Sequence, residues 1–206
     1  MTTMMSISRR LQHFSTTRLL TTTSKVQDTM EANKQEQQQT AAPPKRDYAA
    51  DVRTLVENNN GFAVLSTISK SDVGFPGGSV VGFAPEPVTG RPLFSFSNMS
   101  THTQDLTANG NCSLTVTAKD FKGAADGRVN LMGQVELLTD EAEQEMARTI
   151  YLAKHHDAFW VDFGDFHWFR MTVEKVRFVG GFARAGSVSA DEYAEAVPGI
   201  EEEEEA

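Results

Sequence analysis

The chain has 206 residues, of which 39% are hydrophobic and 23% are charged, and its formal net charge is −9. This length predicts one domain with additional segments, and the acidic balance argues against nucleic acid as a partner. No stretch approaches the roughly 20 apolar residues that cross a bilayer, so no membrane span is predicted. The single cysteine, Cys112, excludes an internal disulfide and any zinc site that needs two thiolates.

The N-terminal segment, residues 1–27, has the composition of a targeting peptide. It lacks Asp and Glu but contains Arg9, Arg10 and Arg18 among many Ser and Thr residues, as organellar transit peptides do. We predict a mitochondrial address because arginine predominates among the basic residues, with the plastid as the alternative and a plain disordered tail as the simpler explanation. Residues 28–45 are rich in Gln and contain Ala-Ala-Pro-Pro, which predicts a disordered linker.

The segment 46–200 is predicted to form the folded domain, and it opens with a helix. Apolar side chains from Tyr48 to Val56 recur at helical spacing, which predicts a helix over Asp47–Glu57. Apolar, β-branched runs then predict strands over Phe62–Ile68, Gly77–Phe83 and Leu93–Ser97. Residues 201–206 consist of a run of glutamates and one alanine, and they are predicted to be a solvated acidic tail because like charges repel.

The second half of the domain combines further strands with two helices. A short helix is predicted over Ser100–Leu106, and a longer one extends from Thr139 to His155 with acidic residues in its first turn. The predicted strands are Cys112–Ala118, Arg128–Leu138, Phe166–Val173 and Val176–Ala183, the last two joined by a turn at Glu174–Lys175. Many short strands with a few helices between them predict a mainly β fold with flanking helices, arranged as a small barrel.

The turn between the third strand and the short helix is the first candidate site. Its hydrogen-bonding side chains are Ser97, Asn98, Ser100, Thr101, His102 and Thr103. A helix N-terminus offers unpaired backbone N–H groups and the positive end of the helix dipole, which together suit a phosphate. An ordinary N-cap needs only one or two such side chains, so their density favours a phosphate site over capping alone.

Two further segments contain residues suited to a ligand. Gly180 and Gly181 at the end of a strand indicate a bulge or a close backbone approach, and Arg184 beyond them can reach an anionic group. The segment Phe159–Arg170 holds both tryptophans and several phenylalanines, which is more typical of a core or a dimer interface than of a ring-stacking site. The sequence contains no nucleophilic triad, phosphate-binding loop or dinucleotide-binding glycine motif.

Short motifs follow one another in a distinctive order along residues 48–190. They include Gly61-Phe-Ala-Val-Leu-Ser-Thr67, Phe96-Ser-Asn-Met-Ser-Thr-His-Thr-Gln-Asp-Leu106, Phe163-Gly-Asp-Phe166 and Val179-Gly-Gly-Phe-Ala-Arg-Ala185. In these motifs the sequence resembles the pyridoxamine 5′-phosphate oxidase-like superfamily of FMN-binding split barrels. It is most similar to the haem-utilisation (HugZ-like) and CREG-like branch of that superfamily.

The resemblance implies a six-stranded split β-barrel that forms a homodimer and binds FMN as a cofactor at the dimer interface. By this resemblance the cofactor-binding residues are Ser79, Ser97, Asn98, His102, Thr103, Arg128 and Arg184. The implied activity is that of an FMN-dependent oxidoreductase acting on a small molecule, in which the flavin supplies the redox chemistry. The sequence identifies neither the substrate nor the catalytic residues.

Departures from the family pattern leave alternatives open. Ser79, His102 and Thr103 stand where the superfamily's oxidases place Arg and Lys, and neutral hydrogen bonds hold a phosphate more weakly than charge-assisted ones. The terminal Arg-x-Trp-x-Leu-x-Pro segment of true pyridoxamine phosphate oxidases is absent, and Asp105 replaces an Asn common in the branch. The alternatives are a haem-binding or haem-handling protein and a non-catalytic, CREG-like regulatory dimer.

Overall fold

A curled antiparallel sheet with flanking helices forms the protein, as seen in a computed structural model that describes residues 48–181 and 184–199. Its helices are α1 (Tyr48–Asn58), α2 (Thr101–Ala108), α3 (Glu141–Lys154) and α4 (Ala190–Glu195), with a 3₁₀ turn at Phe159–Asp162. Its strands are β1 (Phe62–Ile68), β2 (Pro76–Gly82), β3 (Ala84–Pro85), β4 (Pro92–Ser97), β5 (Asn111–Thr117), β6 (Gly127–Leu137), β7 (Phe166–Gly180) and β8 (Ala185–Ser189). The predicted leader, linker and acidic tail lie outside the described residues, as do Phe182 and Ala183, so those predictions stay predictions.

The long strand β7 organises the sheet. The strands pair in the order β2-β1-β5-β6-β7-β4-β3. One side of β7 pairs with β6, while β4 and β8 share its other side. The mainly β fold with flanking helices is confirmed. The resemblance implied six strands, whereas the described residues form eight, because the two-residue β3 and the five-residue β8 add to six longer strands.

The predicted turn at Glu174–Lys175 is wrong, because β7 continues through these residues as one strand. The pairing with β6 shifts by one residue between Met132 and Gly133. Met132 pairs with Lys175 and Gly133 with Val173, so Glu174 is the extra residue of a β-bulge in β7. The bulge allows Val173 and Val176 both to be buried, although positions three apart in a regular strand face opposite sides of the sheet. A pair of charged residues between apolar runs therefore marks a bulge in this chain.

Two apolar clusters hold the fold together. Helix α1 closes the main core, whose fully buried members include Val52, Val56, Leu65, Leu114, Leu131 and Met171. Helix α3 covers a second cluster, around Tyr151 and Trp168, on the other face of β4 and β7. Both faces of β4 are thus buried, which fixes the position of the turn that follows it. In the part of the chain that the structure describes, none of the helices combines the length and apolar character that a bilayer crossing requires.

Candidate functional site

The turn from β4 into α2 is held by contacts to the residues just before β7. The Ser97 hydroxyl donates to Asp165 Oδ2 at 2.5 Å and accepts from the backbone N–H of Met99 at 3.1 Å. The backbone N–H of Asn98 donates to the carbonyl oxygen of Asp165 at 2.9 Å. Ser97 also pairs with Phe166 in the sheet, which places the two segments side by side. The Ser97 hydroxyl is therefore already engaged by the protein's own carboxylate and amide.

The first turn of α2 carries the other predicted donors. Thr103 is 3% exposed, and its Oγ1 has no hydrogen-bond partner among the described residues. The His102 ring lies edge-on to Phe96, with ring centroids 4.6 Å apart. Burial lowers the pKa of His102, although Asp105 opposes the shift, so the neutral imidazole is favoured over the cation at neutral pH. Ser79 is half-buried on β2, a strand against which α2 packs.

Asp105 has a structural role that the sequence did not indicate, since the sequence showed only that it replaces an Asn common in the branch. The residue is 2% exposed. Its Oδ2 accepts from Thr67 Oγ1 at 2.7 Å and its Oδ1 accepts from the backbone N–H of Lys70 at 2.8 Å. The Lys70 N–H, and after it the Thr67 hydroxyl, lower the pKa of Asp105 because both bonds favour the charged form. Asp105 therefore ties α2 to the end of β1 and to the loop that follows it.

A cavity of about 400 Å³ lies between α1 and the ends of β5, β6 and β7, and Arg184 is among the residues that line it. The guanidinium of Arg184 pairs with Asp51 on α1 at 2.5 Å, while its Nε is buried without a hydrogen-bond partner among the residues described. Lys119 provides a second cation, and Leu55 and Phe178 provide apolar lining. Cations beside an apolar wall suit a ligand that carries both an anionic group and an apolar body.

The predicted hydroxyl and guanidinium groups lie at opposite ends of β7. Ser97 pairs with Phe166 at the start of the strand, whereas Arg128 pairs with Val179 near its end. At that end Arg128 donates to carbonyl oxygens of the preceding loop at 3.0 and 3.3 Å, and Arg184 follows a few residues on. The strand has 15 residues, about 45 Å if straight. Ser97 is not among the residues that line the Arg184 cavity, so the turn and the cavity are separate sites within one chain.

The aromatic segment between α3 and β7 is divided between core and surface. Trp168 and Phe169 are buried on opposite faces of β7, one in each apolar cluster. Phe159 and Phe163 are exposed and contact each other edge to face, with centroids 5.8 Å apart. The exposed rings thus form an apolar surface just ahead of Asp165.

Two other titratable side chains are held in uncharged forms. Burial raises the pKa of Cys112 to about 12, so its thiol is not activated as a nucleophile. Burial also lowers the pKa of His155, whose Nε2 lies 2.9 Å from the carbonyl oxygen of Phe83 and must therefore carry the proton. The described residues contain no cluster of three side chains that could hold a metal ion.

The curled antiparallel sheet and its flanking helices have the form of a split β-barrel, the fold that the resemblance implied. The family model "CREG, beta-barrel" matches residues 43–195. The chain belongs to the CREG β-barrel family.

Two proteins to which the chain is similar have names that refer to haem. The chain is 41% identical over 147 residues to "Non-canonical heme oxygenase HOZ, chloroplastic" of Arabidopsis thaliana. The match covers 69% of this chain and 44% of that protein, so the chain spans less than half of the relative's length.

Solved structures extend the likeness to bacterial proteins. A haem-binding protein from Mycobacterium smegmatis superposes with a TM-score of 0.67 at 26% identity, over 76% of this chain and 63% of that one. A Clostridium acetobutylicum protein of the pyridoxinephosphate oxidase family superposes with a TM-score of 0.56 at 17% identity, over 71% of this chain and 96% of the other. The second likeness concerns the fold alone.

Proposed function

We propose that this chain is a haem-binding split-barrel protein that acts as a homodimer. The observation that carries the proposal is the 41% identity to a haem oxygenase, together with the likeness to a haem-binding protein at 26% identity. Haem binding was the alternative to the FMN-dependent oxidoreductase implied by the resemblance, and these relatives support it better than the FMN reading. We also propose that the protein converts the haem that it binds, and the hemin titration described below tests this.

The residues around Arg184 fit the chemistry of haem. Haem combines a broad apolar ring with carboxylate side groups, and the cavity combines Leu55 and Phe178 with the cations of Arg184 and Lys119. Asp51 also lines the cavity and accepts from Arg184 through Nη2, while Nε has no partner among the described residues, so the guanidinium keeps donors for a second carboxylate. No histidine is among the residues that line this cavity, so we assign to it the carboxylate groups and not the iron. Haem, when bound, supplies the redox-active iron.

An FMN-dependent oxidoreductase is the second candidate. It is favoured by the donors of the β4–α2 turn, where the buried Thr103 Oγ1 has no hydrogen-bond partner among the described residues. Against it, no Arg or Lys lies between residues 97 and 108. The Ser97 hydroxyl already donates to Asp165. A CREG-like regulatory dimer is the third candidate, and it predicts that the protein binds neither haem nor flavin.

For localisation, the plastid now has more support than the mitochondrion that the sequence favoured. The relative at 41% identity carries the word chloroplastic in its name, and the acid-free composition of residues 1–27 suits either organelle. Import of the full chain into isolated chloroplasts and mitochondria distinguishes the two. Uptake by mitochondria alone would contradict the plastid proposal.

Hemin titration of the full chain tests the proposed function. We expect a Soret band that saturates at one haem or fewer per chain, and a loss of the band when reductant and oxygen are supplied if the protein converts haem. Arg184→Ala should weaken hemin binding by about tenfold, the effect of losing one hydrogen bond to a charged group.

Arg148→Ala is the matched control for this titration. Arg148 pairs with Asp162 at 2.7 Å, and its side chain is 36% exposed, as is that of Arg184. The control should bind hemin like the wild type. Absence of a Soret band in the wild type, or an equal effect of both substitutions, would contradict the assignment.

A further inference from the structure

We infer that Asp165 determines which ligands the β4–α2 turn accepts: its carboxylate occupies the hydroxyl that a phosphate would need, and the turn therefore discriminates against phosphate-bearing ligands such as FMN. Asp165 is thus a specificity-determining residue. The inference concerns the turn alone and does not depend on haem binding near Arg184.

The Ser97 hydroxyl has no proton left for a ligand. A serine hydroxyl carries one proton and can accept through its lone pairs. Here the proton is donated to Asp165 Oδ2 at 2.5 Å, and the oxygen accepts from the backbone N–H of Met99 at 3.1 Å. Ser97 is also buried, so water does not weaken this bond to a charged acceptor. A phosphate that used Ser97 would first have to displace Asp165.

The backbone holds Asp165 in this position. Its carbonyl oxygen accepts from the N–H of Asn98 at 2.9 Å, and the next residue, Phe166, pairs with Ser97 in the sheet. The N–H of Phe166 also donates to the carbonyl oxygen of Phe163 at 3.0 Å, which closes a tight turn around Asp165. The carboxylate is therefore fixed beside the Ser97 hydroxyl by sheet pairing and is not a freely moving surface group.

The charges around the turn strengthen the discrimination. No Arg or Lys lies between residues 97 and 108. A second carboxylate, Asp105, is buried within α2, and burial of His102 favours its neutral form. A phosphate would meet two carboxylates without a cation from this segment, and like charges at short range repel. The cation that acts on Asp105 is Lys70, from the loop after β1. The helix N-terminus alone offers only partial positive charge against the two carboxylates.

Donors remain in the turn once the charge of Asp165 is removed. Thr103 Oγ1 is buried and has no hydrogen-bond partner among the described residues, and the side chain of the N-cap residue Ser100 makes no capping bond. Without the charged acceptor at Asp165, the turn would offer a phosphate the hydroxyls of Ser97, Ser100, Thr101 and Thr103. Replacement of Asp165 should therefore convert it into a phosphate-accepting turn.

Flavin titrations of the full chain test this inference. FMN and riboflavin share one ring system and differ in the phosphate, and quenching of flavin fluorescence reports the binding of each. We expect the wild type to bind FMN no more tightly than riboflavin. Asp165→Asn keeps the shape, removes the charge and leaves Ser97 only a neutral amide acceptor, which a charged phosphate can displace. It should tighten FMN binding about tenfold or more, the effect of gaining a charge-assisted bond, and leave riboflavin binding unchanged.

Asp162→Asn is the matched control, because it removes one negative charge three residues away, from a carboxylate that pairs with Arg148. It should leave both affinities unchanged. Adding Ser97→Ala to Asp165→Asn should abolish the gain, since the Ser97 hydroxyl is what the phosphate uses. Tighter wild-type binding of FMN than of riboflavin would overturn the inference, and this comparison holds even if the variants do not fold. An equal gain for both flavins, or no gain for FMN, in a folded Asp165→Asn variant would also overturn it. The proposed haem binding is tested by the separate hemin titration, and neither outcome of the flavin titrations changes that test.

Discussion

At the scale of single residues, Asp105 fixes helix α2 against the end of β1 and the loop that follows it. Two donors, Thr67 Oγ1 and the N–H of Lys70, each bind one of its carboxylate oxygens. We expect Asp105→Asn to lower the free energy of unfolding by about 1–3 kcal/mol at neutral pH, because an amide offers one acceptor oxygen to these two donors. Unfolding in urea, followed by circular dichroism, measures the change.

The pH dependence of this loss gives a second measurement. The pKa of Asp105 is lower in the folded protein than in the unfolded chain. The ionised carboxylate therefore makes its full contribution to the free energy of unfolding above the unfolded pKa of about 4. This contribution is lost as the pH falls through the lower pKa of the folded state. The difference between wild type and variant should therefore shrink below about pH 4. Asp72→Asn is the control, since its carboxylate accepts from Ser71 at the surface, and it should change stability by less than about 0.5 kcal/mol. A loss for Asp105→Asn that does not vary with pH would contradict the argument.

The residues of the turn could be located from the sequence, but their partners could not. The density of hydroxyl groups from Ser97 to Thr103 is a local signal. The bond from Ser97 to Asp165 spans 68 positions and that from Thr67 to Asp105 spans 38, and both depend on how strands and helix pack. The one sequence signal for Asp165 was its place in the Phe163-Gly-Asp-Phe166 motif, which gave it no role.

At the scale of elements, prediction succeeded where one local pattern decides the structure. The apolar, β-branched run Phe62–Ile68 predicted β1 with the bounds that the structure has. The sequence predicted two strands in place of β7, because the charged pair Glu174–Lys175 resembles a hairpin turn. What keeps β7 continuous is its pairing with β6, which no local pattern encodes.

The bulge in β7 requires a glycine on the neighbouring strand. A Cβ at Gly133 would lie 1.9 Å from the carbonyl oxygen of Thr172 and 3.2 Å from the backbone nitrogen of Glu174. We expect Gly133→Ala to destabilise the protein by about 3 kcal/mol, since the backbone of the bulge must move. Urea unfolding compares it with Gly78→Ala, where an added Cβ meets nothing within 4 Å. Equal stability of the two variants would contradict the role of the bulge.

At the scale of the whole molecule, the proposed homodimer requires a surface on which two copies can meet. The outer face of the sheet offers an apolar surface for a second copy, because Val64 pairs with Val80 across β1 and β2 and both are exposed. Ile68 continues this surface along β1. Exposed apolar rows of this kind are typical of subunit interfaces.

We therefore expect Val80→Glu to convert a homodimer into monomers, because a carboxylate in the centre of this apolar row would be buried without a partner. Light scattering coupled to gel filtration measures the mass of each form. Val88→Glu is the control: Val88 is 82% exposed and Val80 75%, but Val88 lies in the loop between β3 and β4. The control should remain dimeric, and hemin affinity should fall in the Val80 variant alone if the site needs both chains. A monomeric wild type, or dimers of both variants, would place the interface elsewhere and leave the Arg184 cavity to bind its ligand within one chain.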